Sequence, residues 1–238
     1  MDLKTEILAS CGKCGHTGVV NNELCDCIFR FRALNRMVDT GFNLSTLRLV
    51  SGKYRIPEIV SGGEYLDYYQ SNQEDVESKG LSLYIFSREK GRGKTTLAHR
   101  LIYQTARYFA ITSRYRRSRN YGFERSDRFL ADRDAELWKS TFYVLDDLGA
   151  EDGSASWTRK KAVASFQELF HYRRDNKLST IITSNYHPSD LSSLYDGVLD
   201  SLLEIAPDGK IGGVVFRQVE IGGGEDLRLS EEASEWPL

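Results

Sequence analysis

Apolar and polar positions change their spacing along this chain, and the change divides it. From Gly80 onward, short apolar runs alternate with stretches of helical period. Residues 81–86 (Leu-Ser-Leu-Tyr-Ile-Phe), 141–145 (Thr-Phe-Tyr-Val-Leu), 180–183 (Thr-Ile-Ile-Thr) and 214–219 (Val-Val-Phe-Arg-Gln-Val) read as strands. Residues 95–109, 158–176 and 188–204 carry the wider spacing of helices. Strands separated by helices predict an α/β fold, a parallel sheet with crossover helices. Upstream the pattern is looser. Residues 28–37 predict a short basic amphipathic helix, stopped near Gly41. Gly62-Gly63 precede an aromatic-rich helical stretch over 64–70, and the polar run 71–79 follows. Beyond Gly222 the chain turns glycine-rich and then acidic, which predicts a flexible tail.

Composition narrows the classes. The 238 residues suffice for one α/β core and a small appendage. With 40% hydrophobic residues and a net charge of −2, the whole-chain balance argues neither for nor against nucleic acid. No apolar run approaches the roughly 20 residues that span a bilayer. The Met-Asp-Leu-Lys-Thr-Glu start lacks the basic-then-apolar order of a secretion signal. The expectation is a cytoplasmic protein without a membrane partner.

The strand ending at Phe86 leads into Glu89-Lys90-Gly91-Arg92-Gly93-Lys94-Thr95-Thr96 and then a helix. Strand, glycine loop and helix in that order are the setting of a phosphate-binding loop. Gly91 and Gly93 allow backbone N–H groups to turn inward around phosphate oxygens. Lys94 can reach the β- and γ-phosphates, and the Thr95 hydroxyl can ligate Mg²⁺. The new helix turns its positive end to the same anion. One position departs from the full pattern: Arg88 stands where the first glycine belongs.

Two further strand ends carry polar groups. Phe142-Tyr143-Val144-Leu145 runs into Asp146 and Asp147. Two carboxylates after a buried strand are costly without a cation. Asp146 is the expected Mg²⁺-shell ligand, and Asp147 the group that orients or deprotonates an attacking water. The third end is Thr183-Ser184-Asn185, whose amide would face the γ-phosphate or that water.

All four cysteines lie in Cys11-x₂-Cys14-x₁₀-Cys25-x-Cys27, amid glycines. Crowded into one short segment they favour metal over scattered disulfides, and four thiolates are the complement of closed tetrahedral zinc. The stretch from Arg107 to Arg128 holds arginines at 107, 114, 116, 117, 119, 125 and 128, with Tyr108, Phe109, Tyr115, Tyr121 and Phe123 interleaved. Arginines for phosphate and aromatics for bases suit single-stranded DNA, with Arg114, Tyr115, Arg116, Arg117 and Arg119 as the contacts. A solvated basic face is the plainer alternative.

Taken together, these strings resemble the DnaC/DnaI-type AAA+ helicase loaders of bacteria and phages and the related IstB transposition ATPases. The resemblance rests on Lys79-Gly80-Leu81-Ser82-Leu83-Tyr84, Leu145-Asp146-Asp147-Leu148-Gly149-Ala150-Glu151, Ile181-Ile182-Thr183-Ser184-Asn185 and the Cys-x-x-Cys-Gly-x-Thr-Gly start. It implies an AAA+ (ASCE P-loop) parallel-sheet ATPase core with a small N-terminal zinc-binding module. Lys94 and Thr95 would belong to Walker A, Asp146 and Asp147 to Walker B, and Asn185 would be sensor 1. The implied task is to bind a hexameric replicative helicase, self-associate on it, and help place it on single-stranded DNA, with ATP, Mg²⁺ and Zn²⁺ as cofactors. The alternative is a transposition helper that binds DNA and a transposase, a group that generally lacks the cysteines. A nucleotide kinase fits less well, given the Asp-Asp-Leu-Gly-Ala-Glu and Thr-Ser-Asn strings.

The expected organisation is a zinc-binding, helicase-docking module over 1–37, a linker and helical segment over 38–78, the ATPase core over 79–221 and the tail over 222–238. One family feature is missing. The loaders' Ser-Arg-Leu string has no arginine here, where the chain reads Asp200-Ser201-Leu202-Leu203-Glu204. Arg173, Arg174 and Arg217 are the candidate substitutes; otherwise the chain binds ATP and hydrolyses it poorly.

Overall fold

In the computed structural model, residues 3–38, 40–51, 56–112, 119–132, 134–150, 156–195 and 216–222 are described. The chain runs α1 (Leu3–Ala9), β1 (Val19–Val20), β2 (Glu23–Leu24), α2 (Asp26–Val38), α3 (Leu44–Ser51), β3 (Ile59–Ser61), α4 (Gly63–Ser71), α5 (Gln73–Lys79) and β4 (Ser82–Phe86). It continues as α6 (Lys94–Ile111), β5 (Tyr121–Arg125), α7 (Ser126–Ala131), α8 (Ala135–Trp138), β6 (Phe142–Leu148), α9 (Ser156–Asp175), β7 (Ser179–Ser184), α10 (Pro188–Leu194) and β8 (Phe216–Ile221).

Six strands form one sheet in the order β3-β8-β4-β7-β6-β5. The four pairs from β8 to β5 are parallel, and β3 adds antiparallel to β8 at one edge. Strands β4 and β7 are buried throughout, which is why their apolar residues do not alternate with charged ones. Successive side chains still face opposite ways. Leu83, Ile85, Val144 and Ile181 pack with Leu97 and Leu101 of α6, while Tyr84, Phe86, Leu145 and Ile182 pack with Phe166 and Phe170 of α9. The sheet is thus covered on both faces, and its strand ends are left to carry chemistry. The mixed α/β architecture with a mostly parallel central sheet is the expected one.

The differences are local. Strand β6 does not stop at Leu145 but runs through both aspartates to Leu148. Strand β5 lies inside the arginine-rich stretch, where charges mask its alternation; Tyr121 and Phe109 are buried and Phe123 packs on the same core. These aromatics are therefore core, not base-stacking surfaces. The polar run 71–79 holds the end of α4 and, from Gln73, helix α5, which is anchored by buried Gln73 and Val76 and ended at Gly80, whose φ of 67° a glycine adopts freely. The helix read over 188–204 ends at Leu194, with Tyr195 as its cap, and residues 196–204 lie outside the described residues.

The N-terminal segment shares the main core. Ala33, Leu34 and Met37 of α2 are buried in the same cluster as Leu97 and Leu101 of α6, and the Arg107 guanidinium meets the Asp26 carboxylate at 2.6 Å. A boundary at residue 37 therefore falls within continuous packing. No helix among the described residues is long and apolar enough to cross a membrane.

Candidate nucleotide-binding site

The loop after β4 has the backbone a phosphate cradle needs. Gly91 and Gly93 sit at φ 79° and 81°, a region costly for any residue with a Cβ. Helix α6 starts at Lys94, and its first backbone bond runs from Leu97 N–H to Gly93 O at 2.8 Å. The N–H groups of Lys94, Thr95 and Thr96 precede that bond, at the end of the helix that suits an anion. Lys94 is buried, its ammonium donating to the carbonyls of Glu89 at 3.1 Å and Ser87 at 3.4 Å. Arg92 and Glu89 form an ion pair within the loop, and Lys90 is exposed.

The three strand ends converge. Thr95 Oγ1 donates to Asp146 Oδ1 at 2.8 Å, and Thr183 Oγ1 donates to the same oxygen at 2.6 Å. Thr183 Oγ1 also accepts from Asp147 N–H at 2.9 Å. Asn185 Nδ2 donates to Asp147 Oδ1 at 2.8 Å. Thr95, Asp146, Asp147 and Asn185 are thus one hydrogen-bonded cluster around the loop. Thr183 was readable only as a polar strand end, because its role depends on how β6 and β7 align.

That alignment is itself unusual. The β6–β7 register shifts between Leu145 and Leu148, and Asp147 lies in the left-handed region at φ 60°. A bulge of this kind re-aims a side chain beside a functional site. Ser126 Oγ steadies it, donating to Asp147 O at 2.9 Å. Burial pushes the Asp146 carboxyl above its ordinary range, against the two hydroxyl donors that favour its charge. A divalent cation beside Thr95 and Asp146 would relieve that cost, so the residues fit Mg²⁺.

The four cysteine sulfurs lie within 4.8 Å of one another, with Cys11–Cys25 and Cys14–Cys27 each at 3.6 Å. Tetrahedral zinc–thiolate bonds place sulfurs roughly 3.8 Å apart, so the donor set fits. Gly18 N–H donates to Cys14 Sγ at 3.3 Å. Backbone N–H groups of Cys14 and Lys13 lower the Cys11 thiol to about 6, while burial and the neighbouring sulfurs raise Cys27. The β1–β2 hairpin of this knuckle exposes Val19, Val20 and Leu24.

No protein-family model matches the sequence, and no curated protein matches it. Among solved structures, the chain is similar to the crystal structure of the DnaC helicase loader, at 23% identity over 71% of this chain and 94% of that one, with a TM-score of 0.47. It is similar to the crystal structure of DnaI at 17% identity, covering 79% of this chain and 95% of that one, TM-score 0.45. A third is AMPPCP-bound DnaA from Aquifex aeolicus, at 21% identity over 71% of this chain and 50% of that one, TM-score 0.45.

Other expected residues fare differently. Arg114, Tyr115, Arg116 and Arg117 lie outside the described residues, as does the 200–204 string. Arg119 does not fit a DNA contact: its guanidinium grips Glu77 at 2.6 and 2.9 Å and lies 3.9 Å from the centre of the Phe109 ring, with the side chain only 7% exposed. Arg173 does not fit a finger toward a neighbour, since it is fully buried. Arg217 lies over the Tyr65 ring, while Arg174 is exposed beside Asp175.

Proposed function

We propose that this chain is an AAA+ ATPase that binds Mg²⁺-ATP and acts in DNA replication as a loader of a hexameric replicative helicase. The carrying observation is the hydrogen-bonded set Thr95–Asp146–Thr183 and Asp147–Asn185 at the mouth of a glycine-shaped phosphate loop. Lys94, Thr95 and the loop N–H groups bind the triphosphate. Thr95 and Asp146 hold Mg²⁺, whose charge would offset that of the phosphate oxygens. Asp147, kept in place by Asn185, orients the attacking water and accepts its proton. With no arginine in the 200–204 string, turnover is slow without a partner.

The helicase-loading part rests on the sequence resemblance and on the cysteine knuckle, which also favours a loader over a transposition helper. Its exposed Val19, Val20 and Leu24 are the surface offered to the helicase, and Arg114, Tyr115, Arg116 and Arg117 are the residues offered to single-stranded DNA. Removing residues 1–37 is a poor test, because Leu34 and Met37 belong to the common core.

The test has two arms. Lys94→Ala should lose Mg²⁺-dependent ATP binding in a direct binding measurement; binding that survives would refute the phosphate-loop reading. Pull-down with the replicative helicase, with and without ATP, should succeed for the native chain and fail for Val20→Asp with Leu24→Asp. A chain that never captures the helicase would leave the ATPase reading and remove the loader. Rapid steady-state turnover in the absence of any partner would contradict slow hydrolysis.

A further inference from the structure

The departure from the phosphate-loop pattern is a residue with a place of its own. Ser87, just before Arg88, extends the β4–β7 ladder by donating its N–H to Ser184 O at 3.3 Å. Asn185, just after Ser184, donates to Asp147. Ser87 and Asn185 therefore leave neighbouring strands at the same level, and Arg88 stands one residue beyond them, at the end of the loop where a terminal phosphate would sit. The Arg88 side chain reaches from the loop to α10 and ends 3.8 Å from Asp190. At 75% and 49% exposed, and longer than a hydrogen bond, this ion pair contributes little and yields readily to a better anion.

The other arginines close to these elements are committed. Arg92 is paired with Glu89 through Nε and Nη2, Arg125 lies beside Asp146 on β5 and pairs with Asp127 at 3.3 Å, and Arg173 is enclosed at the far end of the sheet. Arg217 pairs in register with Leu83, three residues before the end of β4, and lies over Tyr65. Arg88 differs from these in joining the entrance of the loop to α10 through one long, exposed ion pair.

Resting on the nucleotide-binding reading above, we propose that Arg88 reads the γ-phosphate of the nucleotide bound by its own chain. With ATP the guanidinium exchanges Asp190 for the terminal phosphate; with ADP it stays on Asp190. The arginine that breaks the pattern thus acts as a specificity determinant, and the move would report the nucleotide state to α10.

The experiment is a comparison of affinities for a non-hydrolysable ATP analogue and for ADP, both with Mg²⁺. Arg88→Gly restores the glycine of the pattern at an exposed position, and its fold is checked by thermal unfolding. It should weaken the analogue about tenfold and leave ADP within about twofold, the scale of one charge-assisted contact. Arg88→Lys, which keeps the charge, should hold most of the preference. A preference unmoved by Arg88→Gly, or both nucleotides weakened alike, would overturn the inference while leaving the site intact. Failure of the native chain to bind either nucleotide would instead overturn the phosphate-loop reading, and this inference with it.

Discussion

The two ends of the central sheet both bury charge, and they do it in opposite ways. At the C-terminal ends of the strands, Asp146 and Asp147 stand side by side, one pushed above its ordinary range by burial and the other held at φ 60°. At the opposite end, Arg173 is 1% exposed, and burial lowers it to about 9. Its guanidinium donates to Thr180 Oγ1 at 2.7 Å and to the carbonyls of Trp138, Ser140 and Ser179 at 2.7, 2.9 and 2.5 Å. It also faces the Tyr143 ring at 5.0 Å. The cation ties α9 to the starts of β6 and β7, with its donors answered from within the chain. The carboxylate end stays costly until something binds. A buried charge that is answered is a staple; one that is left costly marks a site.

The largest effect should come from breaking the staple. Arg173→Met removes the donors and leaves three carbonyls without their partner, so denaturant unfolding should show a loss of about 3–5 kcal/mol. Nucleotide binding per folded molecule should be unchanged. Lys94→Ala should do the reverse, with binding lost and a smaller loss of stability, about 1–2 kcal/mol, from the two carbonyls its ammonium meets. If Arg173→Met were as stable as the native chain, the contrast between the two ends would fail.

Between the ends lies Glu124, which tests the same contrast by pH. It is 2% exposed; Tyr143 O–H donates to one oxygen at 3.0 Å and the other oxygen is buried without a partner. Burial, opposed by that hydrogen bond, raises its carboxyl to about 7. The native state therefore holds a proton that the unfolded chain releases near pH 4.3. The stabilisation from this group is present below about 4.3 and is lost as pH rises through about 7. Glu124→Gln keeps an acceptor for Tyr143 without the charge, and should gain on the order of 2 kcal/mol at pH 8 and almost nothing at pH 4. A gain that does not vary with pH would show that the carboxyl is not the cause.

The parts legible in the sequence are those where local chemistry is obligatory. The glycines at 91 and 93 are forced by positive φ, and Leu83–Phe86 of β4 and the Ile181-Ile182 centre of β7 by burial on both faces. What depends on distant alignment was hidden. Tyr-Gly-Phe-Glu-Arg of β5 looked like part of a basic surface, because Glu124 and Arg119 find their partners on Tyr143 and Glu77. Arg173 looked like a surface finger on a polar helix end, since nothing local tells that three carbonyls from two other segments close over it. Thr183 looked like the polar end of a strand, and only the bulge between Leu145 and Leu148 brings its hydroxyl to both aspartates.

The smallest effect on stability is the most telling for function. Asp146→Asn keeps an oxygen for the Thr95 and Thr183 hydroxyls while removing the buried charge. Because burial raises this carboxyl, its charged form weighs against the native state, and stability falls as pH climbs through the carboxylate range. The variant should therefore be more stable than the native chain by about 1 kcal/mol at pH 7, with the gain fading toward acid pH. The same change should abolish the Mg²⁺ dependence of nucleotide binding, which a titration with and without the metal would read. Gained stability together with lost Mg²⁺ dependence is what a site held ready for a cation predicts. If Asp146→Asn destabilised the protein as Arg173→Met does, the carboxylate would be a second staple, and the two ends of the sheet would be alike.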